Sequence, residues 1–318
     1  MALSDRPLFT REYEQVGDFA PETGAIYLYG VTSEPRSEFA LDLMRRRPDI
    51  TFVEIRSNDA FSFETDRPGF EHVFLRRRSR LEEFIGTLQG SPLYIDITGL
   101  SHSIWAPLIR VCLEAGIVTR AIYLEPATYS VMPGPDSGQL FDLSDRIEGI
   151  APIPLFATLT DAAEEETCFV ALLGFEGVRF DHMLNEIQPP EGKVFPIIGV
   201  PGFRPQYPFD AYLGNAAALD KYRAARNLKF ARSNCPFGLF YALEDLAQRY
   251  PVDQLKIGLI GTKPHALGAI LFAVANPERA EIIYDHVRRK AGRTRGAARC
   301  LVYGLSEFLP QDRLARAA

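Results

Sequence analysis

Ser91-Pro-Leu-Tyr-Ile-Asp-Ile-Thr-Gly99, followed by a helical pattern over residues 103–115, is the stretch of this 318-residue chain that decides its fold. An apolar strand, a glycine turn and an apolar helix succeed one another here, and a second apolar strand covers residues 119–125. The order strand, helix, strand is typical of a βαβ unit, in which two parallel strands are joined by a right-handed crossover.

The same pattern returns about half a chain later. Gln254-Leu-Lys-Ile-Gly-Leu-Ile-Gly261 precedes a helical pattern over residues 264–275 and a strand over 279–285. Gly99 and Gly261 are 162 residues apart, and Tyr123 and Tyr284 are 161 residues apart. Agreement within one residue over a whole βαβ unit indicates an internal duplication. We therefore predict an α/β fold with two tandem Rossmann-like units, mostly parallel sheets, and a pseudo-dimeric arrangement of the units.

The predicted domains are residues 1–150 and 151–318. The first contains a polar leader and ends in a connection over residues 129–154 that is rich in Gly, Pro and Asp. The second contains a proline-rich segment, Pro201-Gly-Phe-Arg-Pro-Gln-Tyr-Pro208, and a short tail after Gly304. Gly30 and Gly174 each follow the first strand of a unit, at an offset of only 144, which predicts an insertion in the second unit.

Composition narrows the class of protein. A net charge of −6 argues against a general nucleic-acid coat. The four cysteines form no CxxC pair, so neither a disulfide framework nor a zinc site is expected. The first residues contain no apolar signal core, and no run of 18 apolar residues occurs in the sequence. These features predict a cytoplasmic protein without membrane contact.

Ligands of open parallel sheets bind beyond the carboxyl ends of the strands, where helix N-termini attract anions. Four glycine turns in this sequence join the end of a strand to the start of a helix. They predict ligand contacts from Gly99, Ser101, Gly174 and Gly261. None completes the GxxxxGK[ST] or GxGxxG pattern, which disfavours a P-loop NTPase and a standard dinucleotide dehydrogenase.

Gly261-Thr-Lys-Pro-His265 is the sharpest local signal. Thr262 suits the N-cap of a helix, and Pro264 suits its first turn. Lys263 places a cation beside the positive end of that helix, which is locally unfavourable and points to a bound anion. The alternative interpretation is an ordinary helix start with a solvated lysine.

The strand Ile257-Gly-Leu-Ile-Gly261 with Thr262 and Lys263 resembles the strand-GTK element of CRISPR-associated Rossmann-fold (CARF) sensors, and a tandem pair resembles the related SAVED domains. The resemblance implies a nucleotide ligand, most often a cyclic oligoadenylate, in contact with Gly261, Thr262 and Lys263. It also implies hydroxyl contacts from Thr32 and Ser33. The first-unit counterpart, Thr98-Gly-Leu-Ser-His102, has no lysine, which favours an asymmetric or smaller nucleotide.

Other candidates are basic or titratable. His102 and His265 follow the two paired glycines, where a general acid or base would lie. Arg288 and Arg293 belong to a basic segment, predicted as a flexible loop, that would clamp a polyphosphate or form a solvated surface. The histidines and carboxylates show no metal-site spacing, and neither a metal nor a cofactor is expected.

Three functions follow from these patterns. The first is a nucleotide sensor with a ligand cleft between its two CARF-like halves, expected to belong to an antiviral defence system and to pass its signal to a separate effector protein. The second is a metal-independent hydrolase or transferase that acts on a nucleotide or sugar phosphate in the same cleft through His265 or His102. The third is a structural pseudo-dimer that serves only a protein partner. The absence of a nucleophile or oriented base at a diagnostic spacing favours the sensor.

Overall fold

Buried apolar strands alternate with helices in two separate sheets, which form the cores of two units. The computed structural model describes residues 8–57, 59–131, 141–158 and 166–314. Within these residues the first unit comprises 8–128 and 294–314, and the second comprises 129–293. The chain is therefore an α/β protein with two mostly parallel sheets, as predicted, and each of these sheets has six strands.

The first unit is a six-stranded sheet with helices in its crossovers. Its strand order is β1-β16-β7-β6-β2-β3; β2, β3, β6 and β7 run parallel, and β1 pairs with β16 in the antiparallel direction. The elements are β1 Thr10–Tyr13, β2 Ile26–Tyr29, α1 Phe39–Arg46, β3 Thr51–Glu54, the hairpin β4 Ser62–Glu64 and β5 His72–Phe74, α2 Arg78–Gly86, β6 Leu93–Asp96, α3 His102–Glu114, β7 Thr119–Tyr129, β16 Thr294–Gly304, α8 Leu305–Phe308 and α9 Gln311–Leu314.

The second unit has the strand order β12-β11-β10-β13-β14-β9, with five parallel strands and an antiparallel β9 at the edge. The strands β8 and β15 form a separate two-stranded sheet. In the chain, β8 precedes β9 and β15 follows β14. The elements are β8 Ser144–Arg146, β9 Ala151–Pro152, β10 Thr167–Leu172, α4 Gly177–Ile187, β11 Val194–Gly199, α5 Tyr207–Lys221, β12 Lys229–Ala231, α6 Pro236–Arg249, β13 Gln254–Leu259, α7 Lys263–Ala275, β14 Ala280–Tyr284 and β15 Arg288–Arg289.

Four parallel strands have the same order in both units, β3-β2-β6-β7 and β11-β10-β13-β14. Leu93 pairs with Thr119 in the first sheet, and Leu255 pairs with Ala280 in the second, so the strand offsets are again 162 and 161. The helices between these strands, α3 and α7, both have 13 residues. The two βαβ units thus occupy equivalent positions in their sheets.

The match of Gly30 with Gly174 needs a correction. Leu93 also pairs with Ile26, and its counterpart Leu255 pairs with Cys168. These registers give the first strands an offset of 142, so Gly30 corresponds to Leu172. The second unit's first strand simply extends two residues further before its turn, because Ala171 and Leu172 are still paired with both neighbouring strands.

The insertion in the second unit is a helix and an additional edge strand. From the end of the proline-rich segment onward, α5 and β12 extend the sheet beyond β11, whereas the corresponding strand β3 is itself the edge of the first sheet. The helix begins at Tyr207, within the proline-rich segment. Pro208 lies in its first turn, where a proline is compatible with helical geometry.

Residues 294–314 belong to the first unit, although the predicted boundary at residue 150 assigned them to the second. They begin with a strand where the sequence predicted the continuation of a flexible basic loop. Residues 294–304 form β16, which enters the first sheet between β1 and β7. Cys300 and Val302 are buried in the first unit's core with Tyr27. Residues 295–298 of the same strand are exposed, so their basic, small-residue sequence gives no sign of a strand.

A close backbone approach joins the turns after β2 and β6. A methyl group on Gly99 would overlap the carbonyl oxygen of Gly30 and lie 2.9 Å from Cβ of Ser37. Both obstacles are main-chain or short side-chain atoms, which cannot rotate away. The position therefore requires glycine.

We expect Gly99→Ala to lower the free energy of unfolding by about 1–3 kcal/mol, because the added methyl group forces the two turns apart. Chemical unfolding followed by circular dichroism measures the change. Gly86→Ala is the control, since nothing lies within 4 Å of its new methyl group at the end of α2. That substitution should be neutral or stabilise by up to about 1 kcal/mol. Equal effects at both positions would contradict the packing argument.

Candidate functional site

The turn between β13 and α7 combines a close backbone approach with a capped helix. Thr262 is the N-cap of α7: its hydroxyl accepts a hydrogen bond from the amide of His265 at 3.3 Å and donates one to the carbonyl of Ser233 at 2.8 Å. A Cβ on Gly261 would lie 2.8 Å from the carbonyl oxygen of Leu173. Thr262 and Gly261 thus shape the turn at the carboxyl edge of the sheet.

A second helix begins at the same place. The loop Arg232–Cys235 follows β12 and leads into α6, and Cys235 caps this helix by accepting a hydrogen bond from the amide of Gly238 at 3.3 Å. The start of α6 packs against the second turn of α7, since a side chain on Gly268 would overlap the carbonyl oxygen of Pro236, and the Thr262 hydroxyl at the start of α7 donates to the carbonyl of Ser233 just before α6. Two helix N-termini therefore lie side by side, and each carries roughly half a positive charge.

Two cationic side chains flank these helix ends. Lys263 is the first residue of α7 and is half-buried. Arg232 is exposed, and its Nε donates to the side-chain oxygen of Asn234 at 3.0 Å. We call residues 232–235 and 261–265 together the Lys263 site. Its electrostatic character is positive, from both backbone and side chains.

His265 contributes to the site as a buried, neutral ring. The side chain is 1% exposed, and Nε2 lies 3.1 Å from the carbonyl oxygen of Arg232. Burial lowers the pKa of His265 to about 4, against the opposing effect of the contacts with the Arg232 and Ala231 carbonyls. The ring is therefore neutral at pH 7 and fixes the Arg232–Cys235 loop against α7.

The equivalent turn of the first unit has a different character. Ser101 is the N-cap of α3, with backbone dihedral angles close to those of Thr262, and its side chain is exposed. His102 takes the position of Lys263 but is buried, with its ring centroid 5.4 Å from that of Trp105. Gly99 is buried in the turn. The first unit thus places an aromatic contact where the second unit has a cation.

The remaining predicted ligand contacts lie on other segments. Thr32 and Ser33 are exposed in the turn after β2, where the Thr32 hydroxyl accepts from the amide of Glu34 at 3.3 Å. The carbonyl of Gly174 accepts a hydrogen bond from the Asn215 amide at 2.8 Å. Arg288 is exposed on β15, and Arg293 follows it half-buried. The structure groups Gly261, Thr262, Lys263 and His265 on one turn and gives the other residues separate local roles.

A buried ion pair at the same edge of the second sheet escaped the sequence analysis. Arg179 in α4 makes two hydrogen bonds to the Asp285 carboxylate, at 2.6 and 2.7 Å, and both side chains are almost completely buried. Arg179 also donates to the carbonyl oxygen of Ile260 at 3.1 Å. Burial by itself lowers the pKa of the Arg179 guanidinium. The hydrogen bonds to Asp285 and the negative charge of its carboxylate outweigh this effect, so the pKa of Arg179 is raised.

Glu176 adds a second buried carboxylate beside this pair. Its carboxylate lies 3.6 Å from Arg179 and 3.8 Å from Arg289, and accepts hydrogen bonds from the amide of Leu143 and the hydroxyl of Ser144. The spacing of Glu176 and Arg179, three residues apart at a helix start, is the signal that sequence analysis had available. It gave no indication of Asp285 as the partner, 106 residues away.

The first unit has a related arrangement after β2. Arg36 forms an ion pair with Glu34 at 2.8 Å and donates to the carbonyl of Leu124, and Glu34 also accepts from the hydroxyl of Thr294. Leu124 and Asp285 are 161 residues apart, so they occupy equivalent positions in the two βαβ units, Leu124 within β7 and Asp285 directly after β14. In both units an arginine after the first strand reaches across the sheet edge to this position.

Comparison with known proteins adds little to this description. No protein-family model matches the sequence, and no curated protein matches it. Among solved structures, the chain is similar to a periplasmic ribose ABC transporter protein from Conexibacter woesei, with 14% identity over 80% of this chain and 68% of the other, at a TM-score of 0.27.

Two further observations concern the described part of the chain. No helix there is long and apolar enough to cross a membrane. Among the same residues, no group of three or more His, Cys, Asp or Glu side chains is placed to hold a metal ion.

We expect Asp285→Asn to lower the free energy of unfolding by about 3–5 kcal/mol, because it leaves the buried Arg179 guanidinium without its counter-charge. Urea unfolding followed by circular dichroism measures the loss. Asp181→Asn is the control: Asp181 pairs with Lys221 at 2.7 Å on the surface, and its loss should cost less than about 1 kcal/mol. A similar loss from both variants would refute the importance of burial.

The pKa of His265 predicts a dependence of stability on pH. The unfolded chain takes up a proton near pH 6.5 and the folded chain only near pH 4, so stability falls as the pH is lowered between these values. The loss attributable to this ring is about 3 kcal/mol. It is measured as the difference between the stability curves of the wild type and His265→Gln. Parallel curves over this range would show that the ring is not buried as described.

Proposed function

We propose that this protein binds a small anionic molecule of the nucleotide class at the Lys263 site. The observation that carries the proposal is the meeting of two helix N-termini, those of α6 and α7, beside the side chains of Lys263 and Arg232. A site with this concentration of positive potential favours a negatively charged group.

The position of Lys263 supports a bound anion. A lysine at the first residue of a helix is repelled by the helix dipole, and the neighbouring start of α6 adds a second positive end. A phosphate group would accept hydrogen bonds from main-chain N–H groups and form charge-assisted hydrogen bonds with both cations. Such a ligand would offset the repulsion between these cations and the two helix ends.

The nucleotide class is supported by sequence rather than by geometry. Gly261, Thr262 and Lys263 resemble the ligand-contacting turn of CARF sensors, whose ligands are cyclic oligonucleotides. His102 replaces the lysine in the first unit, which supports a ligand whose anionic groups are unevenly distributed. A sensor role in antiviral defence, with a separate effector, is part of the proposal only through this resemblance.

The alternative of a hydrolase or transferase gains no support from the two histidines. The rings of His102 and His265 are 3% and 1% exposed, and a general acid or base must reach the substrate within hydrogen-bonding distance. The low pKa of His265 also removes it from the range in which proton transfer at neutral pH is efficient.

Isothermal titration with AMP, cyclic di-AMP and a cyclic tetra-adenylate tests the proposal. We expect binding of at least one of them, and Lys263→Ala should weaken it by about 1–3 kcal/mol because one charge-assisted hydrogen bond is lost. Arg232→Ala should weaken it in the same direction.

Lys229→Ala is the matched control, since Lys229 begins β12 at the opposite end of the strand from Arg232. It should leave the affinity unchanged. Equal affinity of the wild type and Lys263→Ala would show that the turn is an ordinary helix start. Parallel incubation followed by chromatography distinguishes binding from turnover: a changed nucleotide would favour the enzyme alternative.

A further inference from the structure

Helix α5 has apolar residues on two opposite faces. One face is buried in the second unit's core and includes Ala211, Ala218 and Leu219. The other face is exposed, with Phe209 at 71%, Tyr212 at 43% and Leu213 at 56% of their full exposure. Large apolar side chains clustered on an exposed helix face indicate an interaction surface.

The exposed face is continuous along the helix. Phe209, Leu213 and Ala217 follow one another at four-residue spacing, so they lie on one stripe, and Asp220 ends it. No charged residue occurs between Ala211 and Leu219. The stripe belongs to the segment that the second unit has in addition to the first, so the duplicated fold does not require it.

We propose that this stripe pairs α5 with α5 of a second copy of the chain, antiparallel about a twofold axis near Leu213. In such a pair, residues at equal distances before and after Leu213 face each other. Phe209, four residues before, then meets Ala217, four residues after. A large exposed side chain thus faces a small one, and because the interface is isologous this contact occurs twice.

The charges at the ends of the stripe are complementary in the same arrangement. Asp220 lies seven residues after Leu213, and its counterpart before Leu213 is Gln206, two residues from Arg204. Arg204 and Asp220 are both exposed. Among the described residues neither forms an ion pair within the chain. Pairing with a second copy would give each of them an opposite charge and would bracket the apolar centre with two Arg–Asp contacts.

Close packing of the two helices is possible because small residues lie along the stripe. Ala217 is exposed on the stripe, and Ala216 beside it is half-buried. Helices packed through small residues approach at the short end of the usual interaxial range of about 8–10 Å, which brings Phe209 and Leu213 into contact with the partner's backbone. A foreign protein would not need this correspondence between the two halves of one helix.

Sedimentation velocity of the full chain, over a wide range of concentrations and without added ligand, tests the pairing. The wild type should show a concentration-dependent dimer, and Leu213→Glu should weaken it at least about 30-fold, as expected for a residue at the centre of an interface. Val252→Glu is the control, because Val252 is 76% exposed outside the stripe. It should leave the dimer intact. Circular dichroism confirms that both variants are folded.

A charge exchange tests the geometry. Arg204→Asp and Asp220→Arg should each weaken the dimer several-fold through two like-charge contacts, and the double variant should restore it. A monomeric wild type at all concentrations would overturn the proposal, even if the stripe bound another protein. A dimer that withstands Leu213→Glu, or single charge variants that the double variant does not rescue, would overturn it as well.

Discussion

Each unit depends on the strand that begins its βαβ unit, which is hydrogen-bonded to a parallel strand on both sides. In the first unit β6 lies between β2 and β7, and in the second β13 lies between β10 and β14. Because these strands run parallel, the turns that follow them meet at one edge of the sheet. Main chains then approach so closely that Gly99 lies against Gly30 and Gly261 against Leu173. The position of both following helices, α3 and α7, is set by this contact.

The two units use this shared geometry differently. In the first, the helix begins at His102, which is buried against Trp105 and completes a core contact. In the second, the helix begins at Lys263, and α6 begins beside it because β12 adds one further parallel strand and one further crossover. Duplication thus provides two similar sheet edges, and the insertion gives one of them a second helix N-terminus and the additional cation Arg232.

Buried arginine side chains also stabilise these two sheet edges. Arg179 spans from α4 past the end of β13 to Asp285, and Arg36 spans from the turn after β2 to the main chain at Leu124. A guanidinium group is suited to this position because its several N–H donors satisfy carbonyl and carboxylate oxygens at once. In the second unit the charge of the buried arginine is balanced by the Asp285 carboxylate.

The sequence alone determined the βαβ units, their duplication and the helix start at Thr262. These features depend on local patterns: apolar runs, glycine turns and capping residues act within a few positions of one another. The tertiary structure alone decided the place of β16, the register shift between Gly30 and Gly174, the partner of Arg179 and the exposed face of α5. Each of these depends on contacts between residues far apart in the chain. The exposed first half of β16 has no apolar pattern, and Arg179 meets a carboxylate 106 residues away. No local pattern records such a pairing, because its free energy comes from burial that only the assembled sheet provides.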